Sequence, residues 1–362
     1  MPLRRTPIPL YAALRTIHSS TAMAEHMRAW QCARPGDVVA KLKLNDKAPR
    51  PSKQSLKADE ILIKVVSASL NPADYKVPGM GLMARGLIPF PKTIGMDLSG
   101  QVAAFGEGIT DVKPGDSVVS RLDPLKAAGS LSEYVVAPRD TYAPLSGDAN
   151  LDWAAAIGTA GLTAYQCIKP HVKPGDKIFI NGGSGGTGTF GIQIGKLLGC
   201  HVTVSCSTAK AALCKDLGAD EVIDYKTTDV REALKKAGPV YNLLVDNVGT
   251  SPPYLHAKSS AFLTPEAPFV LVAGGASLSS LAQVASAMLR PAMLGGGKNK
   301  VVVFMTKKNR EDLSQLAQWL AEGKLRTVVE STYDFADAVK AFEHLKKGSV
   351  AGKLVVHVAP KA

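Results

Sequence analysis

Gly183, Gly185 and Gly188 stand in the spacing G-x-G-x-x-G, directly after the apolar run KIFIN (177–181) and at the opening of the helix-like GTFGIQIGKLLG. Glycine at that spacing has a mechanical reading. Gly183 permits a tight turn, Gly185 lets the backbone approach a pyrophosphate, and Gly188 lets helix and strand pack closely. Ser184, Gly186 and Thr187 complete the turn, where a helix N-terminus offers unpaired N–H groups and the positive end of its dipole to an anion. About 20 residues on, an NAD-binding unit usually closes its second strand with Asp or Glu for the ribose hydroxyls. The stretch VTVSCSTAKAALCK (202–215) contains no acid. Ser207 and Lys210 suit a 2′-phosphate there, by hydrogen bonding and by charge, where a carboxylate would repel it. NADPH is therefore the expected cofactor, and the chemistry it serves is hydride transfer.

Such a cradle needs a frame of alternating strands and helices. Beyond Asp152 the segments KIFIN, GTFGIQIGKLLG, HVTVSC, AKAALCKDLG, EVIDY, NLLVDNVG, FVLVAGG and KVVVFM supply one. Strand-like and helix-like runs in turn predict βαβ units and a parallel sheet, with strands apolar throughout because both faces are covered. Residues 28–150 read differently, as short β runs (EILIKVV, SGQVAAFG, DSVVSRL, SEYVVA) broken by Gly, Pro and Asp. After Met305 the rhythm stops, so residues 306–362 are assigned back to the first unit. The expected fold is α/β, with a doubly wound Rossmann domain of residues 151–305 inserted into a mostly β domain of residues 28–150 and 306–362. The tetrapeptide KPGD at Lys113 and Lys173 is shared turn chemistry and no repeat.

Composition narrows the function classes. The formal charge is +12, but the basic residues are scattered, with small Lys pairs at helix-like ends where they meet the negative dipole terminus. No nucleic-acid partner is expected, and the excess also favours an anionic cofactor. Five cysteines without a C-x-x-C pair and seven histidines without a cluster point to neither a metal site nor a disulfide framework. No apolar run reaches membrane-spanning length. Residues 1–27 carry Arg4, Arg5 and Arg15 and no acid before Glu25, the composition of a mitochondrial transit peptide. The alternatives are a disordered leader, or a start at Met23 or Met27 giving a cytoplasmic product.

The arrangement resembles the medium-chain dehydrogenase/reductase superfamily from Arg28 onward, and within it the zinc-free quinone oxidoreductase branch. The run LGADEVIDYKTTDVREALKK with LVDNVG is similar to mitochondrial NADPH oxidoreductases of the reticulon-interacting type. The resemblance implies a GroES-like catalytic domain around the Rossmann insert and a homodimer through the Rossmann sheet edge. Where zinc members carry ligands, LNPADYK and IGMDLSG place Asn71 and Met96-Asp97, so the resemblance implies no metal. It further implies that Asn71, heading N-P-x-D, lines the nicotinamide pocket and hydrogen-bonds a substrate carbonyl. Thr163 would contact the cofactor near its ribose or nicotinamide end, and Tyr225 its 2′-phosphate. Asn247, Val248 and Gly249, with Ala273, Gly274 and Gly275, would meet it just after strands. Relatives carry a tyrosine shortly after N-P-x-D, whereas Gly79-Met80-Gly81 occupies that turn here; Tyr75 is the nearby substitute, either a pocket residue and proton donor or a core aromatic. The expected activity is hydride transfer from NADPH to a small electron-poor acceptor, a quinone first, with reduction of an enoyl thioester or other α,β-unsaturated carbonyl as the alternative. A non-catalytic NADPH-binding interaction protein is the reading of a different class.

Overall fold

The computed structural model describes residues 25–249, 251–252, 255–272 and 299–359. The N-terminal leader and Ala273, Gly274 and Gly275 lie outside these. Strands β1 (His26–Cys32), β2 (Leu42–Pro49), β3 (Glu60–Ser69), β4 (Lys92–Thr93), β5 (Asp97–Phe105), β6 (Ser117–Arg121), β7 (Tyr134–Pro138) and β8 (Tyr142–Pro144) build the first part of the chain, with short helices α1 (Val38–Lys41), α2 (Pro72–Lys76) and α3 (Leu82–Leu87) between them. The second part contains strands β9 (Lys177–Asn181), β10 (His201–Cys206), β11 (Glu221–Asp224), β12 (Leu243–Asp246), β13 (Phe269–Val272) and β14 (Val301–Phe304). Its helices are α4 (Leu151–Ile168), α5 (Gly186–Leu197), α6 (Ala211–Asp216) and α7 (Val230–Ala237). Helices α8 (Arg310–Ala321) and α9 (Ala338–Lys346) and strands β15 (Val329–Asp334) and β16 (Lys353–His357) follow.

The second set of strands makes one parallel sheet in the order β11-β10-β9-β12-β13-β14. The chain winds outward from β9 in one direction and from β12 in the other, so the order reverses between these two strands. In open α/β sheets that reversal opens the crevice where ligands bind, at the carboxyl ends of the strands. Parallel strands covered on both faces must be apolar, which is why β12 and the last four residues of β9 are buried.

The other main sheet runs β15-β16-β3-β5-β6-β8, with β7 also paired to β3. Strand β16 comes from the end of the chain and pairs antiparallel with β3, Val355 opposite Ser69. This returns Lys353 to the neighbourhood of Asn71. Helix α4, capped by Asn150 accepting from Trp153 N, touches β3, β5, β6 and β16 as well as α5. It is buried on most of its surface because it lies between the two sheets, as an all-round apolar helix must.

Candidate functional site

The glycine turn leaves β9 at Asn181. Gly182 adopts φ +82°, a left-handed conformation available to glycine at little cost. The conformational demand of the turn thus falls on Gly182. Gly183, expected to supply it, is glycine for another reason: a Cβ there would lie 2.6 Å from Val204 Cβ. Gly188 matches its expected packing role, since a Cβ would stand 2.1 Å from Gly182 O. At Gly185, the N-cap of α5, the nearest atom to a Cβ would be Gly182 O at 3.8 Å. That open side leaves room for a ligand against the backbone. Beneath the turn, Gly182 N donates to Ser205 Oγ and Ser205 Oγ to Asn181 Oδ1. Asn181 Nδ2 donates to Asp246 Oδ1 at 2.8 Å, and that oxygen also accepts from Val248 N and Gly249 N. The buried Asp246 carboxyl is pushed above its ordinary range by burial, against the pull of these donors. One network therefore holds the loops after β9 and β12 in place across the crevice. In the second loop the side-chain amide of Asn247 has both polar atoms buried without a protein partner. A buried amide without a protein partner is costly.

Asn71 caps α2 and is buried. Its backbone N–H donates to Asp74 Oδ2 at 2.7 Å, its Nδ2 donates to Asp97 Oδ2 at 2.8 Å, and its Oδ1 accepts from Lys353 Nζ at 2.6 Å. Asp97 also accepts from Thr159 N and Thr159 Oγ1, at 2.8 and 2.7 Å. Arg121 Nε donates in turn to Thr159 Oγ1 at 3.2 Å. Five charged side chains, Asp74, Asp97, Lys92, Arg121 and Lys353, are buried here. Burial, with the neighbouring Asp97, pushes the Asp74 carboxyl up to about 7, while Lys353 and Lys92 pull it down. Burial lowers Lys353 from the ordinary lysine range, and Asp97 and Asp74 oppose that shift.

Two other expected site residues are Tyr75 and Thr163. The Tyr75 ring packs on the core of the β-rich unit, and its hydroxyl is raised by burial and lowered by Lys346. Among the described contacts nothing joins it to Asn71. On a one-turn helix Asp74 takes the inward position, and Tyr75, a further 100° around, faces α9. Thr163 is buried inside α4, its hydroxyl bonded to Thr159 O at 2.6 Å and Thr306 Oγ1 at 2.5 Å. The residue that reaches the cluster is Thr159, one turn earlier.

At the ends of β10 and β11, Ser207 precedes a single turn containing Lys210, and Tyr225 is exposed with the Lys226 ammonium 5.6 Å from its ring centre. Lys210 Nζ donates to Ser349 O. The acid missing from 202–215 has a counterpart on the next strand: Asp224 lies opposite Cys206, accepts from Thr208 Oγ1 at 2.5 Å and from Lys226 N, and is held below the usual carboxylate range by those bonds.

The chain is 42% identical over 346 residues, 92% of its length and 96% of the other protein, to "Trans-enoyl reductase pgmF" of Aspergillus terreus. The chain belongs to the medium-chain dehydrogenase/reductase superfamily. It is an oxidoreductase of that superfamily, whose members use a nicotinamide dinucleotide. The family model described as "Alcohol dehydrogenase GroES-like domain" matches residues 57–147, and "Zinc-binding dehydrogenase" matches residues 217–356. "NAD(P)H oxidoreductase RTN4IP1, mitochondrial" of Homo sapiens is 33% identical over 83% of this chain and 82% of its own. The solved quinone oxidoreductase from Coxiella burnetii superposes with a TM-score of 0.79 at 32% identity, covering 92% of this chain and all of that one.

Zinc, implied by the second family description, does not fit the residues of this dehydrogenase/reductase. Asn71 and Met96-Asp97 offer an amide, a thioether and one carboxylate, and that carboxylate already has the Lys353 ammonium 3.9 Å away. Among the described residues no group of three or more His, Cys, Asp or Glu could hold a metal ion. A nicotinamide dinucleotide fits better: the backbone at Gly185 is open and lies, like the loop of Asn247, at the carboxyl ends of β9 and β12, where the strand order reverses. Sequence reading missed Asn181, Ser205, Asp246, Thr159, Arg121 and Lys353. A lysine opening the apolar run KLVV was the one signal available for the last of them.

Proposed function

We propose that the protein is an NADPH-dependent reductase of carbonyl-conjugated double bonds, acting on an enoyl thioester or enone first and on a quinone second. The observation that carries the reading is the cradle at the topological switch point, open at Gly185, with the unpaired amide of Asn247 in the loop after the neighbouring strand. Bound NADPH supplies the hydride. Ser207, Lys210, Tyr225 and Lys226 favour the 2′-phosphate against the charge of Asp224, whose carboxylate is engaged by Thr208 and the backbone of Lys226. Negative charge develops on the acceptor's carbonyl oxygen as the double bond is reduced. Asn71 is suited to meet it, because one Nδ2 hydrogen goes to Asp97 while the other has only Ser69 O at 3.5 Å, too far for a strong bond. With Tyr75 half-buried against the core of the β-rich unit, the final proton is taken from solvent.

The 42%-identical trans-enoyl reductase favours the enoyl reading, as do Leu82, Met83 and Leu87, exposed on the segment after α2, where an acyl chain needs apolar surface. The quinone oxidoreductase structure supports the second reading. Among the described residues β14 is the edge strand of the parallel sheet, with its four residues half-buried, and a second copy of the chain is the partner proposed there. The Arg-rich, acid-poor leader and the relative named as mitochondrial support a mitochondrial location.

The test is cofactor oxidation by the purified protein with crotonyl-CoA and with 9,10-phenanthrenequinone. Turnover of the thioester is expected, with kcat/KM for NADPH at least about tenfold above that for NADH, the worth of one charge-assisted contact. Lys210→Ala should erase most of that preference. Turnover of the quinone alone would reverse the order of substrates, and NADPH binding without any turnover would replace the enzyme by a binding protein.

A further inference from the structure

Lys353 is 4% exposed, the first residue of β16, and its ammonium is spent entirely inside the cluster. It donates to Leu70 O at 2.9 Å and to Asn71 Oδ1 at 2.6 Å, with Asp97 Oδ2 at 3.9 Å. An ammonium only donates and a carboxylate only accepts. Between them the Asn71 amide has one allowed orientation, Oδ1 toward Lys353 and Nδ2 toward Asp97. A flipped amide would set two donors against each other on one side and two acceptors on the other. Without the ammonium the amide loses the partner of its oxygen, and the buried Asp97 loses its nearest counter-charge, a costly state.

The path by which this lysine arrives is equally constrained. Gly352 N donates to Ser184 O at 2.9 Å, and Gly352 bridges to Gly185 in parallel register. Gly352 has φ +74°, and a Cβ there would stand 2.2 Å from Val328 O. The lysine stem then crosses the cradle: a Cβ at Gly186 would meet Lys353 Cδ at 3.0 Å. Gly186 is therefore a glycine that makes way for Lys353 as well as for a ligand. One residue before Gly352, Ala351 N is held by Glu330, and three before it Ser349 O receives Lys210. The loop before β16 thus touches the proposed 2′-phosphate subsite, the glycine turn and, through Lys353, the Asn71 amide.

We propose that Lys353 is the positioning residue of this active site, setting the orientation of the Asn71 amide and tying it to the backbone of the cofactor cradle. The inference rests on the reductase reading and deepens it. Lys353 acts through Asn71 and touches neither acceptor nor cofactor.

The experiment is a double-mutant cycle on the full chain with Lys353→Met, Asn71→Ala and the pair, reading kcat and KM with crotonyl-CoA (or the quinone, if that is the one turned over) and NADPH affinity by calorimetry. K353M should bind NADPH within about threefold of wild type yet lose at least about tenfold in kcat, and the double variant should be no slower than N71A by more than about twofold, since contacting residues are not additive. Lys353→Gln, which can still donate to Asn71 Oδ1, should recover part of the kcat lost in K353M; it also serves as the test variant if the methionine protein does not fold. Wild-type kcat in K353M with NADPH binding intact, kcat in K353Q no higher than in K353M, or losses that add fully in the pair, would overturn the positioning role alone. Absence of NADPH binding in the wild-type protein would overturn the reductase reading, and the inference with it.

Discussion

Asp74 carries a carboxyl that burial and Asp97 push up to about 7, and this has a thermodynamic consequence that a neutral variant removes. A carboxyl whose folded value lies above its unfolded value of 3.8 favours the folded state while protonated. That contribution is complete below about pH 4 and is lost as pH rises to about 7, so wild-type stability is penalised progressively across this window and by a constant amount above it. Asp74→Asn does not titrate, and its amide oxygen can still accept from Asn71 N. The melting temperature of D74N relative to wild type should therefore rise from pH 5 to pH 8, against a ceiling of roughly 3 kcal/mol. The measured gain falls below this ceiling because Lys92 and Lys353 lose a carboxylate that favoured their charges. A difference between the two proteins that is identical at pH 5 and pH 8, followed by circular dichroism, contradicts the assignment. The residue types at Asn71, Asp74 and Asp97 were readable in the chain as motif members. Their joint burial was not, because it is produced by α4 and β16 closing over them.

At the scale of elements, the glycine turn joins two demands that one motif obscures. Gly188 answers to packing, and Gly188→Ala should cost about 2–4 kcal/mol because a Cβ would collide with Gly182 O. Gly185 answers to the ligand. Gly185→Ala meets nothing closer than 3.8 Å and should change stability by less than about 1 kcal/mol, while weakening NADPH at least about tenfold by crowding the pyrophosphate's approach. Denaturant titrations and calorimetry on the two variants separate these effects; equal losses of stability in both would show that the turn is structural only. The apolar strands of the parallel sheet and the helices between them were legible from periodicity, since strands buried on two faces leave an unmistakable run of Ile, Val and Leu. Asp224 was invisible to the same reading. It stands on the neighbouring strand, and only the lateral pairing of β10 with β11 sets it opposite Cys206.

For the whole molecule, the parallel sheet among the described residues ends at β14, where Val301, Val302, Val303 and Phe304 are half-buried. An apolar edge strand is a template for pairing with another chain. Val302→Lys should convert a dimer to a monomer in size-exclusion chromatography with light scattering; a monomeric wild-type protein would dismiss the proposed interface. All five cysteines are free and buried, and burial pushes the thiols of Cys32 and Cys200 up to about 11. The folded protein should accordingly leave a disulfide-exchange reagent unreacted, and unfolded protein should consume five equivalents. Local chemistry, the period of the apolar residues and the glycine spacing by themselves determined that this chain forms a doubly wound sheet with a dinucleotide cradle beside a β-rich unit, because those signals act between residues a few positions apart. Tertiary structure alone decided what surrounds Asn71. Lys353 reaches it across 282 residues and Thr159 meets Asp97 across 62, and hydrogen bonds between such distant positions exist only once antiparallel pairing of β16 with β3 and the burial of α4 have brought their backbones together.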